Sequence, residues 1–267
     1  MKAKIGFIGA GRMAEAMIGG LISEDVYSEK EIIGCAPSEA TRARVASKLG
    51  IAMYGTAAEV SRSADVIVIA VKPKHISGLF GEDGFRLGPE HLVISIAAGI
   101  RIKTLESYVP DARIVRVMPN HCCMVLEGAS GYSRGTRATD GDMELVDGIL
   151  SSVGLAVEVA EEDLDAVTGM SGSSPAFMYM FADAIADVGK RNGLPADVAM
   201  DLVAQSFVGA GKMMLETGMT PEELIDSVCS PGGTTIEGVR VLDGKDMRSM
   251  VREAVEAVID KSRKMGG

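Results

Sequence analysis

Through the first 160 residues, short apolar runs rich in β-branched side chains alternate with stretches whose apolar positions recur every three to four residues. The runs are "KIGFIG", "EIIGCA", "DVIVIAV", "LVISIAA" and "RIVRVMP", with a weaker "IAMYG" between the second and third. That alternation is how βαβ units forming a parallel sheet are written. Six strands joined by crossovers predict a doubly wound sheet of the Rossmann kind. "GASGYSR" and "LAVEVAE" flank a helical pattern from Asp142 to Ser152 and are candidates to extend it. From about Glu161 the period becomes 3.6, in segments near 163–190, 196–217, 220–229, 234–243 and 246–264. This shift predicts two domains, 1–160 with the sheet and 161–267 all-helical. Asn192 and Gly193 supply a helix stop, Pro195 opens the next helix, and Thr220-Pro221-Glu222-Glu223 reads as a capping box with proline in the first turn. The later helices carry apolar residues on more than one face ("PAFMYMFADAIADV", "VAMDLVAQSFVGAGKMML"), which predicts a dimer interface, although a monomer's own core could also absorb them.

Composition narrows the partners. A formal net charge of −10 and a pI near 4.9 argue against nucleic acid or an anionic membrane, since both need a basic face. No apolar run approaches the roughly 20 residues that span a bilayer. The N-terminal "MKAKIGFIGAGRM" is interrupted by glycines and Arg12 and has no cleavage pattern, so a cytoplasmic protein is expected. Four cysteines at irregular spacing (Cys35, Cys122, Cys123, Cys229) read as thiols.

Within the first strand-turn-helix, Gly9-x-Gly11-x-x-Ala14 has the form of a dinucleotide turn. Its glycines allow close approach of a pyrophosphate, which the helix N-terminus binds through free amides, so Gly9, Ala10, Gly11, Arg12 and Met13 are cofactor candidates. The second strand ends without the acidic residue of an NAD-selective site; Cys35, Ala36, Pro37 and Ser38 stand there, with Arg42 and Arg44 behind. Ser38 and Arg42 suit a 2′-phosphate, so NADPH is expected, with NADH as a second donor. Alternatively, Arg42 and Arg44 lie on the solvated face of the next helix. Ligands lie beyond the carboxyl ends of such strands, so Ala70, Val71, Lys72, Pro73, Ala98, Gly99, Pro119 and Asn120 should rim the rest of the pocket.

"CSPGGTTIEG", Cys229 to Gly238, raises a second possibility. Pro231 ends a helix, Gly232 and Gly233 permit an unusual turn, and Thr234-Thr235 open the next helix with bare amides facing outward. Such an end cradles a carboxylate or phosphate. A plain turn with a threonine cap would need only one glycine.

These residues resemble pyrroline-5-carboxylate reductase over nearly the whole chain: "IGFIGAGRMAEAMIGGL", "AVKP", "SIAAGI", "RVMPN", "AVTGMSGSSPAF", "GLP" and above all "VCSPGGTTIEGVRVLD". The resemblance implies reduction of the cyclic imine 1-pyrroline-5-carboxylate to L-proline by NAD(P)H. It implies that Ser230, Gly232, Gly233, Thr234 and Thr235 hold the substrate carboxylate, with Thr235 as catalytic partner of the ring nitrogen. It further implies a homodimer through the helical domain, open to higher assembly, with active sites that can include the partner's helices.

The chain departs from the family pattern at His121-Cys122-Cys123, where "TPA" is usual after the asparagine, at Ser174, at Cys229 and near Ala57, where an asparagine often touches the cofactor ribose. Adjacent cysteines cannot easily chelate one tetrahedral ion, so no metal is expected; a redox-sensitive thiol or small buried residues are the alternatives. A β-hydroxyacid dehydrogenase would want a lysine early on the first long helix, and none occurs before Lys190. A non-catalytic NADP-binding regulator is disfavoured by the complete Pro-Gly-Gly-Thr-Thr turn.

Overall fold

The structure, a computed structural model, describes residues 4–266. They divide into two compact units: residues up to Ser173 together with those from Val258 onward, and Ser174–Ala257.

In the first unit eight strands form one sheet in the order β3-β2-β1-β4-β5-β6-β7-β8. They are β1 (Ile5–Ile8), β2 (Ile32–Cys35), β3 (Ala52–Tyr54), β4 (Val66–Ile69), β5 (Leu92–Ser95), β6 (Arg113–Met118), β7 (Gly128–Arg134) and β8 (Gly154–Glu158). The first six run parallel, β7 is antiparallel to β6, and β8 is parallel to β7, so both candidate extensions are strands. Helices α1 (Arg12–Ser23), α2 (Glu39–Leu49), α3 (Ala57–Ser61), α4 (Ile76–Phe80), α5 (Ile102–Tyr108) and α6 (Asp140–Ser151) make the crossovers.

Strand side chains alternate between two cores because successive residues point to opposite faces. Ile5, Phe7, Val66, Val68, Leu92 and Ile94 pack with Met17, Ile18 and Leu21 of α1 and Val146 and Ile149 of α6. Ile8, Ile67, Ile69 and Val93 pack with Val60 of α3, Leu79 of α4 and Leu105 of α5. Each such side chain, fully buried, contributes about 1.5–3 kcal/mol. Because sequence order reverses between β1 and β4, the crevice beyond their carboxyl ends is the natural ligand site.

The expected helix over 163–190 is interrupted. It begins as α7 (Leu164–Val167), widens to a π turn over Thr168–Gly172 and resumes as α8 (Ser174–Arg191). Thr168 and Ser171 donate from their hydroxyls to Leu164 O and Val167 O, local competition that accompanies the irregular turn. The second unit holds α8, α9 (Ala196–Glu216), α10 (Pro221–Val228), α11 (Thr234–Gly244) and the first part of α12 (Met247–Gly266). Thr220 and Glu223 form the expected capping box, with Pro221 at the first helical position. Among the described residues, α9 has the length and mean apolarity of a membrane span, with Asp197, Asp201 and Lys212 interrupting its apolar run.

Candidate active site

At the crevice, the Ala70 amide donates to Ile8 O at 2.8 Å, drawing the ends of β1 and β4 together. Gly9 turns there with φ of 101°, and a Cβ on it would lie 2.8 Å from Ala70 O, so only glycine lets the two chains pass so closely. The next residues open α1 without a cap: Gly11 is its N-cap, no side chain bonds the first amides, and a Cβ on Gly11 would meet no protein atom within 4 Å. The first-turn amides of α1 are thus available to an anion.

Gly9, Gly11, Cys35, Pro37, Ala57, Ala70, Val71 and Lys72 line a cavity of about 690 Å³ over this turn. Its size is that of a small-molecule site, and the bare helix end beside it fits the pyrophosphate of a dinucleotide. Ala10 and Met13 are part-buried in the turn and the first turn of α1, and Pro73 opens the 3-10 turn Pro73–His75 after Lys72.

Other expected cofactor residues lie elsewhere. The Arg12 side chain lines a separate hollow of about 590 Å³ on the flank of α1, with Glu15, Arg44 and Lys48. Ser38 caps α2, accepting from the Thr41 amide, and the Arg42 guanidinium folds back to donate to Ala36 O at 2.8 Å and Pro37 O at 2.7 Å. Arg44 donates twice to Glu15, at 2.9 and 2.7 Å, and Lys48 joins at 3.1 Å. Ser38 and Arg42 Nη1 thus hold the β2–α2 turn, with Arg42 Nε and Nη2 outside these bonds, and Arg44 ties α2 to α1.

Ala98 and Gly99 follow β5, and Pro119 and Asn120 follow β6, as the strand ends require. Asn120 is buried, and both ends of its side-chain amide are hydrogen-bonded. Its Oδ1 accepts from Cys122 N and Ala129 N, both at 3.1 Å, and its Nδ2 donates to Ser171 O at 3.2 Å, so it joins the end of β6 to β7 and the π turn. Nearby, Arg101 donates to Asp165 at 2.7 Å, Ser262 donates to the other oxygen of Asp165 at 2.6 Å, and Glu161 accepts from both Ile102 N and the buried Arg116. No motif marked Asp165, Glu161 or Ser262; only spatial neighbours identify them.

Burial pushes the Cys122 and Cys123 thiols up, and the Cys35 thiol to about 11. Burial thus works against the thiolate form at these positions. Among the described residues no cluster of three His, Cys, Asp or Glu side chains could hold a metal ion.

In the second unit the turn after α10 is built as a bare cradle. The Gly233 amide donates to Ser230 O at 2.9 Å, closing a turn over Pro231 and Gly232. Gly232 has φ of 73°, a conformation that disfavours any side chain, whereas a Cβ on Gly233 would come within 2.5 Å of Ser230 Oγ. Each glycine is thus required for a different reason. Gly233 is the N-cap of α11, no side chain caps the helix, and Thr234 and Thr235 are exposed on its first turn. Free amides at the positive end of an 11-residue helix favour a carboxylate.

Comparisons with known proteins place the chain in a family. Residues 161–265 match the family model for pyrroline-5-carboxylate reductase dimerisation, and residues 4–99 match that for NADP oxidoreductase, coenzyme F420-dependent. A pyrroline-5-carboxylate reductase from Methanosarcina acetivorans is 40% identical over 264 residues, covering 98% of both chains. The human pyrroline-5-carboxylate reductase 2 is 38% identical over 98% of this chain and 83% of its own length. Among solved structures, the Coxiella burnetii pyrroline-5-carboxylate reductase superposes over the whole of both chains with a TM-score of 0.91 at 30% identity. The Plasmodium falciparum enzyme, solved with NADP bound, covers 100% of this chain and 99% of its own with a TM-score of 0.88 at 31% identity. On the fold, the uncapped cradle and this full-length similarity, the chain belongs to the pyrroline-5-carboxylate reductase family.

Proposed function

We propose that this protein reduces 1-pyrroline-5-carboxylate to L-proline with NADPH, and with NADH as a second donor, the last step of proline biosynthesis. The observation that carries the reading is the doubly required glycine pair that bares the N-terminus of α11. The turn they form leaves the first amides of α11 without a side-chain cap, which is what a carboxylate ligand calls for.

Ser230, Gly232, Gly233 and Thr234 hold the substrate carboxylate, through backbone amides and hydroxyls. Thr235 bonds the ring nitrogen and steadies its charge while the electron pair of the C=N bond moves onto nitrogen. NADPH, when bound, supplies the hydride that the imine carbon receives. Gly9, Ala10, Gly11, Arg12 and Met13 hold the pyrophosphate through their backbone, and Ala70, Val71, Lys72, Pro73, Ala98, Gly99, Pro119 and Asn120 shape the walls. Ser38 and Arg42 act at one remove, by fixing the turn that presents Pro37. Because an iminium carbon is already electrophilic, positioning supplies most of the rate.

Residues 161–267 act as the dimerisation and substrate-binding domain and residues 1–160 as the NADP-binding domain. The protein works as a cytoplasmic homodimer or a higher homo-oligomer. Following NADPH absorbance with purified protein and pyrroline-5-carboxylate tests the reading. Rapid oxidation that needs both reactants is expected; none with either nicotinamide cofactor would contradict it.

A further inference from the structure

The carboxyl end of β2 lacks the acidic side chain that usually meets an adenosine ribose. A carboxylate reaches that wall of the cavity from elsewhere in the chain. Glu82, beyond α4, lines the cavity together with Cys35, Pro37, Gly55 and Ala57. Its Oε1 accepts from the Ala57 amide at 3.0 Å and the Ala58 amide at 3.5 Å, at the start of α3. That start lies just past β3, whose Tyr54 pairs with Cys35 of β2. Glu82 is therefore pinned beside the end of β2, and its charge is felt at Cys35, whose thiol is raised first by burial and further by Glu82. The second oxygen of Glu82 has no hydrogen-bond partner among the described residues. The side chain that could have filled this corner is small, since residue 57 is alanine. The other charged or titratable groups on the cavity, Lys72, Lys74 and His75, follow β4.

We infer that Glu82 sets the choice between nicotinamide cofactors: it accepts a hydrogen bond from the ribose 2′-hydroxyl of NADH and opposes the 2′-phosphate of NADPH. The inference rests on the reductase reading above. A carboxylate already fixed by two amides can accept from a hydroxyl but not from a phosphate, which carries like charge. Glu82 thus takes the place of the missing β2 acid and admits NADH to a site whose lysines would otherwise favour the phosphorylated cofactor.

Calorimetric titration of NADP⁺ and NAD⁺ into the wild-type protein and Glu82→Gln tests this without turnover. Gln keeps the oxygen that caps α3 and removes the charge. The affinity ratio of NADP⁺ to NAD⁺ is expected to rise about tenfold in Glu82→Gln, as a like-charge contact of ordinary size requires, with the kcat/KM ratio moving the same way. Glu82→Ala, which also loses the cap, should shift the ratio similarly while lowering Tm. A purely structural role would weaken both dinucleotides alike; an unchanged ratio in a protein that binds both overturns the inference while leaving the reductase reading intact. Wild-type protein that binds neither dinucleotide overturns that reading and this inference together.

Discussion

In the sheet-bearing unit, Ile67, Val68 and Ile94 are wholly buried, and α1 hides Met17, Ile18 and Leu21. In the helical unit, α9 runs for 21 residues yet buries only Ala199 and Val203, and Leu202, Met214 and Leu215 stand 57%, 54% and 80% exposed in the single chain. Both segments are apolar in sequence, so hydrophobicity alone does not distinguish them. What differs is the number of apolar faces against the neighbours available to cover them: the strands are flanked on both sides by helices of their own chain, whereas α9 presents more apolar faces than its unit covers. One unit completes its core within the chain; the other is suited to completing it with a second copy, in keeping with its match to a dimerisation family.

The sharpest way to break the comparison is Leu202→Arg. A buried charge repeated by symmetry should weaken self-association by about 10³-fold or more, read by sedimentation, because both copies carry it. Unchanged association would mean that this face of α9 lies away from the interface. Ile67→Ala probes the self-sufficient unit instead. It should cost about 2–5 kcal/mol in chemical denaturation and leave the dimer affinity of the folded protein unchanged. Gly233→Ala tests whether the cradle is as tight as its geometry says. Crowding against Ser230 should raise the KM for pyrroline-5-carboxylate by about tenfold, as an overpacking cost of 1–3 kcal/mol implies, and leave NADP⁺ binding alone. The smallest effect concerns Glu15. Hydrogen bonding to Arg44, helped by Lys48 against partial burial, holds its carboxyl below the ordinary 4.5. A lowered folded value means that the stabilisation is present above about pH 4.5 and is lost as the pH falls through the folded pKa. Glu15→Gln should therefore lower Tm slightly at neutral pH and flatten the acid limb, the two proteins converging as the pH falls below that value.

The strands, both added ones included, the Thr220 cap and the turn at Gly232-Gly233 were legible because each rests on local chemistry: alternation, glycine, proline and a capping pair. The π turn at Thr168–Gly172 was not, since its residues carry a helical pattern and only the local hydroxyl bonding reveals the widening. Ser38 and Arg42 have the right chemistry for a phosphate, but carbonyls and amides of their own turn claim them first. Sequence proximity to β2 could not show that competition. Glu82 was invisible for the opposite reason, because it reaches the end of β2 from beyond α4. The glycine pair was the most legible feature of all, and the structure supplies what the sequence lacked, a separate steric reason for each residue.

The most direct test is to measure L-proline formed from pyrroline-5-carboxylate against NADPH consumed, with Thr235→Ala alongside. One L-proline per NADPH is predicted for the wild type, with kcat/KM reduced about 10²-fold in the variant, the usual loss for one oriented hydrogen-bond partner of a reacting centre. NADPH that binds without yielding proline, or a variant as fast as the wild type, would contradict the assignment of the Ser230–Thr235 turn to the substrate.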